Sequence, residues 1–137
     1  MYLLDTNIVS ELRKIKPHGG VLSWFENIAE ADLFLSVVTL GEIQAGIEKT
    51  REQDALKADA IEKWLEQVAG AYNILLLDAV IFRLWAKLMH RQSNTVYEDA
   101  MIAATALVHK LIVVTRNVGD FERFNVELMN PFDNREF

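Results

Sequence analysis

Met1-Tyr2-Leu3-Leu4-Asp5-Thr6-Asn7 opens the sequence with a short, uninterrupted apolar run that stops on a carboxylate. Runs of the same kind recur at residues 33–38, 74–77 and 111–114. A strand wetted on one face alternates apolar and polar side chains, whereas an unbroken apolar run suits a parallel strand covered on both faces. Between the runs lie segments of helical period. The segment beginning at Ala55 places Leu56, Ile61, Trp64, Leu65 and Val68 on one stripe and meets a stop signal at Gly70. The segment after Asp78, a natural N-cap, does the same with Ile81, Leu84, Trp85 and Leu88. Strand and helix therefore alternate along the chain. That pattern predicts an α/β fold, a parallel β-sheet of about four to five strands with helices on both faces. No linker or repeat interrupts it, so residues 1–137 are expected to form one domain.

Composition narrows the chemistry. With 51% hydrophobic and 25% charged residues, the chain can bury a continuous core and is not a disordered polymer. It has no cysteine, which excludes disulfides, thiolate metal sites and cysteine nucleophiles. His18, His90 and His109 are too scattered to form a histidine metal motif, so any metal must be held mainly by oxygen. No basic leader followed by a long apolar stretch precedes Asp5, and no segment approaches a membrane span. The expectation is a soluble cytoplasmic protein. A formal charge of −6 argues against bulk attraction to nucleic acid and leaves only a local basic patch to provide it.

Two helix starts carry a capping-box pattern, Thr39-Leu40-Gly41-Glu42 and Thr95-Val96-Tyr97-Glu98. The second precedes Asp99-Ala100-Met101-Ile102-Ala103-Ala104-Thr105-Ala106, a helix whose small residues allow close approach of its neighbours. Asp5 leaves the carboxyl end of the first strand, the edge on which open parallel sheets bind ligands. Thr115-Arg116-Asn117 leaves the fourth run in the same way, with Asp120 shortly after. A helix that feeds a parallel strand starts on the edge where that strand ends, so Asp5, Glu42, Asp99 and Asp120 can converge there. At a mean separation of about 7 Å and an effective dielectric near 20, each ionised pair repels by roughly 2 kcal/mol. Proton uptake or a divalent cation relieves such repulsion. Hard oxygen donors without His or Cys select Mg²⁺ or Mn²⁺, and phosphodiester hydrolysis is the natural chemistry of that constellation.

Each acid also has a structural explanation. Asp5 suits a turn, Glu42 completes its capping box, Asp99 gains from the helix dipole, and Asp120 follows a glycine as a turn residue does. Together, with Thr6, Asn7, Thr115 and Asn117 beside them, they read better as a site.

Leu3-Leu4-Asp5-Thr6-Asn7, the Glu42 helix, the 99–106 segment, Thr115-Arg116-Asn117-Val118-Gly119-Asp120-Phe121 and Asn130-Pro131 resemble the PIN-domain family, specifically its VapC-type toxin ribonucleases. The resemblance spans essentially the whole chain. It implies a Mg²⁺-dependent endoribonuclease, with Mn²⁺ as a substitute, acting as the toxin of a type II toxin–antitoxin pair. It further implies a cognate VapB-type antitoxin, an RNA substrate, a homodimer and higher assembly with the antitoxin. Asp5, Glu42, Asp99 and Asp120 fall on the family's acidic quartet, with Asp5, Asp99 and Asp120 as metal ligands. Thr115 and Asn117 fall on its supporting polar positions. Two departures stand out: Glu98 places a second carboxylate beside Asp99, and Phe132 stands where Trp is common after Asn-Pro.

Positive charge for RNA would come from Arg13 and Arg116, the first in a basic cluster with Lys14, Lys16 and His18. Trp64 and Trp85 read as core, or as part of an interface. A phosphoaspartyl enzyme also puts Asp after its first strand, but here Asn7 stands where such a phosphatase needs a second acid and no Lys follows a late strand. A non-catalytic or RNA-processing PIN-fold RNA-binding module is the alternative function.

Overall fold

Local packing turns each apolar run into a strand of the computed structural model, which describes residues 1–133; residues 134–137 of the expected domain lie outside the described residues. The strands are β1 (Tyr2–Leu4), β2 (Leu33–Ser36), β3 (Asn73–Leu75), β4 (Ile112–Val114) and β5 (Leu128–Met129). They form one sheet in the order β3-β2-β1-β4-β5, every pair parallel. The helices are α1 (Thr6–Leu12), α2 (Gly19–Glu26), α3 (Val37–Arg51), α4 (Ala55–Ala71), α5 (Ala79–Met89), α6 (Tyr97–His109) and α7 (Val118–Phe121).

Successive strand residues point to opposite faces, which is why both Leu3 and Leu4 are buried. Leu4, Leu33, Leu35 and Val114 pack with Ile8, Val21, Ile43, Ile47 and Leu65, so α1 to α4 cover one face. Leu3 and Val113 pack with Ala100, Ile102, Ala103 and Phe121, with Trp85 and Leu88 behind them, so α5 to α7 cover the other. Two helix layers on a parallel sheet are the expected architecture. Trp64 and Trp85 are both partly buried against these cores.

Several boundaries differ from the sequence reading. Val37 and Val38 are not strand but the first residues of α3, because Ser36 acts as N-cap and its hydroxyl accepts from Val38 N. Thr39 therefore lies inside α3, and the first expected capping box does not form. Thr95 lies in a 3₁₀ turn, Asn94–Val96, capped by Ser93, and α6 starts at Tyr97 without a side-chain cap, so the second box does not form either. Helix α4 runs through Gly70 to Ala71, and its Leu56 is 84% exposed while Ala58, Leu65 and Val68 are buried. Asp78 caps α5 as expected, its carboxylate accepting from Ile81 N. Strand β5 is only two residues long, too short to stand out as an apolar run, and it continues the β4 ladder through Thr115 N to the Met129 carbonyl.

The strand order sets the site. From β1 the sheet grows to β2 and β3 on one side and to β4 and β5 on the other, so the crossover direction reverses beside β1. Ligands of open parallel sheets bind in the crevice at such a reversal, beyond the carboxyl ends of the strands. The β1–β4 register pairs Leu4 with Val114, so Asp5 and Thr115 leave the sheet side by side at that point.

Candidate active site

Asp5 is the first residue past β1 and the N-cap of α1, with its carbonyl accepting from Ile8 N and Val9 N. It is a helix cap at a sheet edge rather than the close of a simple turn. Its Oδ1 accepts from Thr6 N at 2.8 Å. Its Oδ2 accepts from Thr115 Oγ1 at 2.8 Å and Asn7 Nδ2 at 3.1 Å. Burial pushes the Asp5 carboxyl above its ordinary range; these three hydrogen bonds oppose that, and the charge of Asp120 adds to it. A buried carboxylate held from both oxygens keeps one orientation, as a ligand position requires.

The supporting residues form a chain around it. Thr115 is fully buried and its Oγ1 also accepts from Asn117 N at 3.0 Å. Asn7 bridges two segments, donating to Asp5 and accepting from Arg116 N at 3.1 Å. With both ends of its amide engaged, Asn7 does the work of an orienting residue, and the site lacks the second nucleophile-side acid of a phosphoaspartyl enzyme. Asn117 contributes its backbone; among the described residues its side chain makes no hydrogen bond.

Glu42 arrives from α3. Its Oε1 accepts from Thr6 Oγ1 at 2.7 Å, and Thr6 Oγ1 also meets buried Thr39 Oγ1 at 3.2 Å. A hydroxyl has one proton, so with Thr6 donating to the carboxylate, Thr39 serves Thr6 as donor. Thr39 is thus a site-supporting residue that the capping pattern had disguised. Partial burial raises the Glu42 carboxyl, the Thr6 hydrogen bond opposes this, and the charges of Asp5 and Glu98 raise it further.

Asp99 lies in the first turn of α6. Its carboxyl is pushed up to about 6, first by partial burial and then by the charges of Asp5, Asp120, Glu42 and Glu98. The charges of the other three acids of the expected quartet thus all bear on Asp99, and Glu98, without its expected capping role, adds to them from the same turn.

The donor set suits a hard divalent cation: carboxylate oxygens only, Asp5 pre-oriented, with the charges of Asp5, Glu42 and Asp120 all raising the proton affinity of Asp99. Among the described residues no three carboxylates or imidazoles already stand within gripping distance of one point. Mg²⁺ needs no such cage, since it keeps several waters and is held through one or two carboxylates. Arg116 sits beside the network, whereas Arg13 caps the far end of α1, about 12 Å along the helix axis from Asp5 by helical rise. The structure does not bring Arg13 to the acids. Lys14 of the same cluster pairs with Glu11 at 2.9 Å, and His18 caps α2 by accepting from Gly20 N.

A PIN domain model matches residues 2–127. VapC ribonuclease Y4jK of Sinorhizobium fredii is 33% identical, the match covering 97% of this chain and 99% of that protein. Toxin FitB of Neisseria gonorrhoeae is 30% identical over 96% of this chain and 99% of its own. The crystal structure of FitAcB from Neisseria gonorrhoeae is 30% identical, covers 96% of this chain and 99% of that one, and has a TM-score of 0.84.

Proposed function

The chain belongs to the PIN-domain family, and from that premise we propose that it is the toxin of a toxin–antitoxin pair, a divalent-metal-dependent endoribonuclease whose working ion is Mg²⁺. What supports this is Asp5, locked at the carboxyl edge of the sheet by Thr6, Asn7 and Thr115, together with the charges of Asp5, Glu42 and Asp120 bearing on Asp99.

Asp5, Asp99 and Asp120 would hold the cation. Bound there, it supplies positive charge for the phosphate oxygens and lowers the pKa of water. The protein's own groups do the rest. Asp5 keeps one orientation through its three donors. Glu42, fixed by Thr6 and with its proton affinity raised by partial burial and by the charges of Asp5 and Glu98, serves as the proton acceptor. Arg116 offers positive charge on the rim for an RNA phosphate, and Arg13 serves a phosphate farther out. Among the described residues no helix is long and apolar enough to cross a membrane. We place the protein in the cytoplasm, as a homodimer bound further by a VapB-type antitoxin. The exposed apolar side chains of Leu76, Val80 and Phe82, at 70%, 62% and 41% exposure, are the natural material for such contacts.

Cleavage of a total cellular RNA pool by the purified protein tests the function, run with Mg²⁺, with Mn²⁺ and with EDTA beside Asp99→Asn. Discrete cuts that need the metal and vanish in the variant are expected. Cuts that persist in EDTA or in Asp99→Asn would refute it.

A further inference from the structure

We propose that Phe132 is a positioning residue: its ring holds the Arg116 guanidinium outside the carboxylate cluster and presents it to a phosphate of the RNA. The proposal rests on the ribonuclease reading above.

The backbone of Arg116 belongs to the acid site. Its N–H donates to Asn7 Oδ1 at 3.1 Å, and Asn7 donates in turn to Asp5 Oδ2. Its side chain does not follow. The guanidinium carbon lies 4.8 Å from the centroid of the Phe132 ring. Among the described residues no ion pair engages Arg116, Asp5, Glu42, Asp99 or Asp120. An exposed arginine tethered beside several uncompensated carboxylates is drawn toward them. Folded over the acids, it would stand where the metal must bind.

The ring that prevents this is itself clamped. Phe132 N donates to Asn130 Oδ1 at 3.0 Å, and Asn130 Nδ2 reaches the Arg116 carbonyl at 3.5 Å, so one asparagine ties the platform to the residue it supports. The His18 ring packs on Phe132 with centroids 4.8 Å apart, and His18 is fixed at the start of α2 by its bond from Gly20 N. A guanidinium lying on an aromatic ring keeps its N–H edge free, and that edge matches a phosphate in a way a lysine ammonium does not. A polyanion crossing an acidic sheet edge needs a cation near the acids but not among them, which is where this stack puts it.

The test is anisotropy of a fluorescein-labelled, mixed-sequence single-stranded RNA of about 12 nucleotides, binding full-length protein in the non-cleaving Asp99→Asn background with Mg²⁺ across a salt series. Arg116→Ala and Phe132→Leu should each weaken binding about fivefold and reduce the log–log salt slope by about 0.7, one single-strand phosphate contact. The double variant should bind no more weakly than Arg116→Ala, Phe132→Trp should keep wild-type binding, and Arg116→Lys should lose affinity despite its charge. A folded Phe132→Leu with wild-type affinity and slope overturns the proposal, as does a double variant whose losses multiply. If Phe132→Leu does not fold, an unchanged salt slope in Arg116→Ala overturns it alone. Loss of a protein partner with RNA binding intact would also overturn it. A wild-type chain that binds this RNA but cuts none would refute the ribonuclease reading and leave the stack standing, so the two failures are distinguishable.

Discussion

Replacing Asp99 by Asn keeps the shape of the side chain and removes one negative charge from the point where the other acids act. The free acid has its ordinary value at 3.8 and stands near 6 in the folded protein. A folded value above the unfolded one means that the native state binds the proton more tightly, so the penalty is absent well below 3.8, grows through the interval and is complete above about 6. A shift of about two units corresponds to about 3 kcal/mol at full weight. Asp99 is partly exposed, and solvent screening brings the expected figure to about 1.5 kcal/mol. Metal-free Asp99→Asn should therefore be more stable than wild type by about 1.5 kcal/mol at pH 7.5, or a few degrees in Tm, and by about a third of that at pH 4.5. Urea unfolding in EDTA at the two pH values reads the difference. Adding Mg²⁺ should then stabilise the wild type and close the gap, since a ligand that binds only the native state raises its stability. A variant less stable than wild type at pH 7.5, or a gain equal at both pH values, would refute the electrostatic reasoning.

Other consequences are as specific. Glu42→Gln keeps an acceptor for Thr6 Oγ1 while losing the charge, so cleavage should fall at least about a hundredfold with urea stability unchanged or raised; retained cleavage would remove Glu42 from the site. Thr115→Val leaves Asp5 Oδ2 without its shortest partner inside the protein, costing about 1.5–3 kcal/mol in urea unfolding at neutral pH together with cleavage. Asp78→Ala removes the α5 cap, away from the acids, and should cost about 1 kcal/mol in stability with cleavage of folded protein unchanged.

What the sequence made legible follows from where each signal lies. Leu3 and Leu4 are buried on opposite faces of the sheet, so the unbroken run was a sound sign of a parallel strand. Asp5 and Thr115 were legible as site residues because each follows its strand directly, and the β1–β4 register sets them side by side. The Thr-x-x-Glu patterns misled because capping depends on which earlier side chain takes the free N–H groups. Ser36 and Ser93 took them first, which turned Thr39 and Glu42 toward Thr6 and left Glu98 facing the acids. Val37 and Val38 looked like strand because they continue the apolar run from Leu33, but the Ser36 cap starts the helix there. Leu56 fits the period of α4 yet lies in its first turn, where no neighbour covers it. The Arg116–Phe132–His18 stack joins three distant segments and leaves no periodic trace.

The claim on which everything else depends is that oxygen donors at the carboxyl edge of the sheet hold a divalent cation. Crystals grown with Mn²⁺ and measured for anomalous scattering test it directly. The expected result is a peak within ligand distance of Asp5 and Asp99, absent from crystals of Asp99→Asn grown alike. A map with no peak at those carboxylates, or with its Mn²⁺ bound elsewhere, would contradict the claim.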